Sequence, residues 1–305
     1  MGNCITESGV VVLSKKEILL IGFSGQLGMS IYDAFESFAE KADLYYVGHE
    51  ELDVTNDIQV EDIILRSIHK WDCIINCAAI HDIALCEANE KLSYEVNRAA
   101  YVALAAAGIR AKYIYISTDM VFSQIDSDIP IGHFNVRMPG NQYAATKAAG
   151  EEHAIGYGDN GVIIRISTLF GRHPCRGKQQ PNLIERIAQC AEAGKEFWAT
   201  TNRVAITSAD WAAQKILQIA LDDYPYVHVR ETESGREQIQ HLVSSNVCNY
   251  VALAQYIYHR IGADIDLVKE NTESKNSFPL LADDCRGATW QEMVKEYLEA
   301  RKGAE

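Results

Sequence analysis

The feature that most constrains this chain is the alternation of short β-rich runs with helical patterns up to Gly171. Glu17–Ile21, Asp43–Val47, Cys73–Asn76, Tyr113–Ser117 and Val162–Ile166 read as strands. Helical patterns separate them, from a glycine turn to Phe38 and then over Asp57–Ile68, Lys91–Ala107 and Tyr143–Ile155. Such alternation builds βαβ units with right-handed crossovers, hence an α/β fold with a doubly wound parallel sheet. Beyond Gly171 the rhythm changes. Leu183–Ala193, Trp211–Leu221, Tyr250–Ile261 and Trp290–Ala300 read as amphipathic helices and Gln240–Val243 as a strand, while Asp222–Glu237 reads as loop and turn. The expected organisation is a leader over residues 1–16, a sheet domain over 17–171, and a smaller mixed α/β C-terminal domain over 172–305 that returns some segments to the sheet.

Charge and composition exclude several classes. The 28 basic and 42 acidic side chains give a net charge of −14, which does not suit a nucleic-acid binder, because phosphate neutralisation needs a basic face. A chain that is 48% hydrophobic and 23% charged is ordinary globular material. No apolar run approaches the ~18 residues of a transmembrane helix. The eight cysteines are scattered and the nine histidines lack zinc spacing, so reduced thiols in a cytoplasmic protein are expected, with no structural metal. Met1–Val12 has neither the basic nor the apolar region of a signal peptide. Met1-Gly2-Asn3-Cys4-Ile5-Thr6 fits an acylation pattern at Gly2 and Cys4, and a short flexible leader accounts for it as well.

The turn after the first strand carries Gly22, Gly25 and Gly28. In a dinucleotide-binding unit the first glycine permits a tight turn, the second lets backbone approach a pyrophosphate, and the third lets helix and strand pack closely. The free N–H groups of the following helix then hold the phosphates. The second strand ends Val47-Gly48-His49-Glu50-Glu51 without an arginine, which leans towards NADH or dual use. Asp53 is either an acceptor for the adenine amino group or an ordinary loop acid.

Tyr143 and Lys147 form a Tyr-x-x-x-Lys pair at the start of a helix, where positions i and i+4 share a face. Such a pair arises by chance about once in a chain of this composition, so its place after a strand ending Ser117-Thr118 is what matters. Hydride delivery to a carbonyl leaves an alkoxide that needs a proton, and an unperturbed phenol at about pKa 10 is poorly matched to neutral pH. A lysine one turn away, with the positive charge of an oxidised nicotinamide, is expected to lower that value, and Thr118 or Ser117 to donate to the same oxygen.

The ordered set Gly22–Gly28, Leu52-Asp53-Val54-Thr55, Ile75-Asn76-Cys77-Ala78-Ala79, Ser117–Phe122 and Asn141–Glu151 resembles the extended short-chain dehydrogenase/reductases, and most closely the dTDP-4-dehydrorhamnose reductase family. The likeness continues through Ile164–Ser167, Asn182-Leu183, His241–Ser244 and Lys275-Asn276-Ser277. It implies a Rossmann-type domain, a small C-terminal substrate domain, and reduction of a 4-keto-6-deoxy sugar nucleotide with NADH or NADPH, and it allows a homodimer. Thr118, Tyr143 and Lys147 match the catalytic trio. The cofactor would lie against Gly22, Gly25, Gln26, Leu27 and Gly28, against Asp53 and Val54, against Cys77, Ala78 and Ala79, and against Tyr143 and Lys147.

Substrate positions depart from the family pattern. Met120 replaces an expected tyrosine, Thr168 an expected tryptophan, and Ile83-Ala84-Leu85-Cys86-Glu87 a segment with two more charges. Asn182 and Arg203 fall at candidate sugar contacts, although Arg203 equally suits a solvated loop. Asn97 suits either a proton relay or helix packing. A different keto sugar from the rhamnose precursor is therefore expected. Two alternatives stand beside reduction: a sugar-nucleotide epimerase, and a non-catalytic subunit like the regulatory subunit of methionine adenosyltransferase. Dehydration is disfavoured because Asp119 is followed by Met120 where a dehydratase has glutamate.

Overall fold

A computed structural model describes residues 4–5, 11–12, 14–156, 160–175, 181–225, 228–232, 235–272, 276–284 and 286–303. Gly2 and Lys275 lie outside the described residues. Within the leader, Cys4–Ile5 pairs antiparallel with Val11–Val12.

The sheet holds β1 (Lys16–Ile21), β2 (Ala42–Val47), β3 (Cys73–Asn76), β4 (Lys112–Thr118), β5 (Gly161–Ile166), β6 (His228–Thr232) and β7 (Gly235–His241). These seven strands run in the order β6-β7-β5-β4-β3-β1-β2, all parallel except β6 at the edge. Both faces are covered, which is why 18–21 of β1 and 73–75 of β3 are unbroken apolar runs rather than alternating. Ile18, Leu20, Ile75 and Ile164 face one side, where α1 (Gln26–Ala34) contributes Leu27 and Ile31. Leu19, Ile21, Ile74 and Ile163 face the other.

The helix expected from Asp57 to Ile68 is shorter. It comprises α2 (Asp57–Val60) and a wider turn over Glu61–Leu65, closed by Arg66 N to Glu61 O at 2.9 Å. After α3 (Ile83–Ala88), the single helix expected over Lys91–Ala107 is broken. It forms α4 (Glu90–Arg98) and α5 (Ala100–Gly108), with Ala99 left-handed at φ 47°. The cause is tertiary: the Asn97 carbonyl accepts the Tyr115 hydroxyl from β4, so that carbonyl is bound to the sheet layer. Val102, Ala103, Ala105 and Ala106 of α5 fill the second face with Ala154 of α6 (Gln142–Gly156).

The C-terminal segments divide between two layers. Ile184 and Ile187 of α7 (Leu183–Glu192), Leu253 and Ile257 of α9 (Tyr250–Ile261), and Met293 and Val294 of α10 (Trp290–Lys302) make a separate core. In contrast, α8 (Ala209–Ala220) packs Ala212, Ala213, Ile216 and Leu217 onto the first sheet face beside α1. The stretch expected as loop and turn contains the β6–β7 hairpin instead. Its strands carry cross-strand charges, with Arg230 facing Glu237, rather than the apolar alternation that marks a strand in sequence.

Candidate active site

Chain order reverses between β1 and β3, and in open α/β sheets ligands bind in the crevice at the strand ends there. A cleft of about 600 Å³ opens at that place, bounded by the glycine turn, the end of β4, α6 and the C-terminal core. Gly22 has φ 77°, and a Cβ there would meet Ala78 N at 2.7 Å. A Cβ on Gly28 would lie 2.5 Å from Gly22 O, so α1 can start this close only with glycine. Gly25 N-caps α1, and the nearest atom to a Cβ there is Gly22 O at 3.4 Å. The turn is thus tight at its first and third glycines and open at its second, which fits a pyrophosphate cradle.

Gly25, Gln26, Leu27, Gly28, Cys77 and Ala79 line this cleft; Gly22, Asp53, Val54 and Ala78 are not on its wall. Gln26 uses its amide to hold the next loop, donating to His173 O at 2.9 Å. Asp53 accepts from Thr55 N at 2.9 Å and Thr55 Oγ1 at 2.8 Å, and these bonds hold its carboxyl below the usual range. After β2, Glu51 accepts from Gly48 N at 2.8 Å, making a closed turn.

Tyr143 and Lys147 project from one face of α6 into the cleft. The helix lies close to β4, since a Cβ on Gly150 would fall 2.1 Å from the Tyr115 hydroxyl oxygen. Lys147 is buried with its ammonium 4.1 Å from the Tyr115 ring centre. Burial pulls its pKa down to about 7, against the opposing charge of Glu151. Burial pushes the Tyr143 phenol up, a hydrogen bond with Thr118 works against the rise, and Asp119 adds to it. Lys147 is itself desolvated, and Thr118 is the group that opposes the rise at Tyr143.

Thr118 ends β4 and touches two acids, the Tyr143 phenol and Asp119, donating to Asp119 Oδ1 at 3.0 Å. The second oxygen of Asp119 accepts from Ser167. Burial raises Asp119 to about 6, with the bonds from Ser167 and Thr118 limiting the rise. Ser117, the other candidate donor to the substrate oxygen, is committed elsewhere, donating to Glu151 Oε1 at 2.5 Å. Asn97 donates to Ile80 O at 2.9 Å and Thr146 Oγ1 at 3.0 Å, so both amide hydrogens are used in bracing and the packing alternative holds.

The four candidate substrate positions, Met120, Thr168, Asn182 and Arg203, all line the cleft. Asn182 also N-caps α7, accepting from Glu185 N at 3.0 Å. Arg203 donates from its guanidinium to Asp128 O, so it is not a free solvated side chain. Sequence reasoning did not single out Asp119, Arg186, Tyr250 or the His81–Cys175 contact of 3.0 Å as parts of this wall. Asp119 was legible as the residue after Thr118. Tyr250 and Arg186 arrive on α9 and α7, and nothing local marks them.

Outside the cleft, His133, His228 and Asp283 come together at the β6 edge. The rings of His133 and His228 stack 3.8 Å apart at 15°, so their nitrogens point side by side rather than at one centre. With His133 Nε2 2.6 Å from Asp283 Oδ1, the group is a hydrogen-bonded stack in geometry.

Comparison with known proteins agrees with this architecture. The sequence profile described as "RmlD substrate binding domain" matches residues 16–298. A dTDP-4-dehydrorhamnose reductase of Mycolicibacterium smegmatis is 30% identical over 88% of this chain and 76% of its own length. A dTDP-4-keto-6-deoxy-D-glucose reductase of Streptomyces niveus is 26% identical over 81% of this chain and 79% of its own. The crystal structure of dTDP-4-dehydrorhamnose reductase from Bacillus anthracis in complex with NADP superposes with a TM-score of 0.78 at 22% identity, covering 94% of this chain and 100% of that one. Since the profile spans both the glycine-turn layer and the C-terminal core, this chain belongs to the dTDP-4-dehydrorhamnose reductase (RmlD) family.

Proposed function

We propose that the chain is an NADH- or NADPH-dependent reductase of a 4-keto-6-deoxy sugar nucleotide. The observation that carries this reading is the convergence of Thr118, Tyr143 and Lys147 on the wall of a cleft that begins at the glycine turn. The names of the relatives, reductases of two such sugars, support it. When bound, the nicotinamide supplies the hydride.

The chain's own residues do the rest. Gly25 and the first N–H groups of α1 hold the pyrophosphate. Lys147, whose buried amine lies over the Tyr115 ring and within the field of Glu151, suits the ribose hydroxyls. Tyr143 is kept protonated by burial and gives its proton to the alkoxide oxygen. Thr118 polarises the carbonyl when its hydrogen is free of Asp119. Met120, Thr168, Asn182 and Arg203 face the sugar nucleotide, with residues 17–171 serving mainly the cofactor and residues 172–305 mainly the substrate. A cytoplasmic homodimer belongs to the same reading.

The test is a steady-state assay of NADH and NADPH consumption over a panel of 4-keto-6-deoxy sugar nucleotides. At least one other member should outrun the rhamnose precursor, because Met120 and the Ile83–Glu87 segment lack groups that would pair with it. Tyr143→Phe should keep the fold and cofactor affinity while lowering the rate by about 10²-fold or more. Equal turnover by the Phe variant would remove Tyr143 from the chemistry and the reductase reading with it.

A further inference from the structure

Thr168 stands out from its neighbours in the cleft. Its φ is 25°, in the left-handed region where a β-branched residue is strained. Such strain persists only where the surroundings hold it, and it gathers at functional positions. Here the conformation sets the Thr168 hydroxyl 3.2 Å from the Tyr250 hydroxyl, and both residues line the cleft.

Tyr250 is itself firmly placed. It opens α9, whose N-cap Asn249 accepts from Ala252 N at 2.7 Å. Asn249 also pairs in register with Arg203 across the short strands Cys248–Asn249 and Arg203–Val204. The hydroxyl is near the reacting end of the cleft: Ser167, next to Thr168, donates to Asp119, which accepts from Thr118, which meets Tyr143. Burial pushes the Tyr250 phenol up to about 12, so it stays a neutral donor at neutral pH.

Counting hydrogens then constrains the ligand. Two hydroxyls hold two O–H donors and several lone pairs, and their mutual bond consumes one donor. One donor and at least one acceptor are left facing the cleft. A carboxylate could use only the donor and an ammonium only the acceptors, whereas a sugar hydroxyl uses both. Met120, on the same wall, supplies no hydroxyl that would compete.

We infer that Tyr250, held by Thr168, reads a ring hydroxyl on the carbon beside the ketone, and so selects keto sugars that retain that hydroxyl. The inference rests on the reductase reading and names the substrate class within it. It goes beyond the catalytic trio, of which Thr118 and Tyr143 serve the carbonyl oxygen and Lys147 the ribose.

The test uses two 4-keto-6-deoxy sugar nucleotides, one with a hydroxyl beside the ketone and one deoxygenated there. The ratio of their kcat/KM values, hydroxylated over deoxygenated, should favour the hydroxylated sugar in the parent protein. It should fall at least about tenfold in Tyr250→Phe, the scale of one lost hydrogen bond to a buried polar group. Thr168→Ala should shift the ratio the same way, which guards against a packing defect special to the tyrosine. An unchanged ratio in both variants overturns the inference. If the parent reduces neither these two sugars nor any other member of the panel, the reductase reading fails on its own. Calorimetric binding of the same two nucleotides to parent and Tyr250→Phe then decides: a hydroxyl-dependent loss in the variant sustains the inference, and equal binding removes it.

Discussion

At the scale of single residues, one hydrogen decides how Thr118 acts. A threonine hydroxyl has a single proton. While Asp119 is ionised it takes that proton at 3.0 Å, and the proton is withheld from a substrate oxygen. When Asp119 is protonated, the Thr118 hydrogen is released towards the substrate oxygen. Because burial raises Asp119 to about 6, the switch falls near neutral pH. The sign follows: kcat/KM for reduction should decline as pH rises through about 6 and level off above it. Asp119→Asn, which cannot ionise, should flatten that limb, and a pH profile of both proteins measures it. A limb that survives in the Asn variant would assign the titration to another group. The Tyr-x-x-x-Lys spacing placed Tyr143 and Lys147 in sequence, yet only burial decided their protonation, because desolvation depends on what packs around them.

At the scale of elements, the turn between β1 and α1 was the most legible part of the chain. Its first and third glycines are demanded by backbone contacts that any side chain would violate, and such demands leave a local mark. Gly28→Ala would press a methyl group 2.5 Å from Gly22 O and 2.6 Å from Phe23 Cα. Backbone cannot yield as a flexible side chain does, so a loss of about 1–3 kcal/mol is expected, the range for overpacking. Denaturant titration should show it, together with weaker NADH and NADPH binding in calorimetry. Unchanged stability and affinity would mean that α1 can slide without cost. The break at Ala99 and the β6–β7 hairpin were not legible. Nothing local marks a stop in the Ala-rich stretch, and its interruption goes with a bond from Tyr115 on the following strand. The hairpin lies at a sheet edge, where polar strands carry no alternating pattern.

At the scale of the whole molecule, a buried ion network ties the layers together. Arg165 of β5 is 1% exposed and grips Glu151 of α6 with bonds of 2.8 and 2.7 Å. It also donates to His133 O at 2.7 Å and contacts His241 of β7 at 3.2 Å. Arg137 adds a second cation to Glu151 at 3.1 Å. Removing one partner of a buried pair leaves the other charge uncompensated, so Arg165→Met should cost about 3–5 kcal/mol. Glu151 is itself held below its ordinary 4.5, by Arg165 first and despite burial. Its contribution is therefore present above pH 4.5 and lost as pH falls through the lower folded value. Arg165→Met should accordingly narrow the stability gap between parent and variant in acid. Urea titrations at neutral and acid pH test both statements, and a gap that widens in acid would refute the linkage.

Sequence by itself determined the α/β class, the glycine cradle, the Tyr143–Lys147 face and the family, because periodicity, glycine demands and i,i+4 spacing are local properties of the chain. Tertiary structure alone decided that Ser117 belongs to Glu151, that Thr118 shares its hydrogen with Asp119, and that Tyr250 meets Thr168. Each of these depends on which hydroxyl, carboxyl or amide is brought within about 3 Å of another. Distances of that kind are set by the packing of separate layers, and no spacing along the chain encodes them.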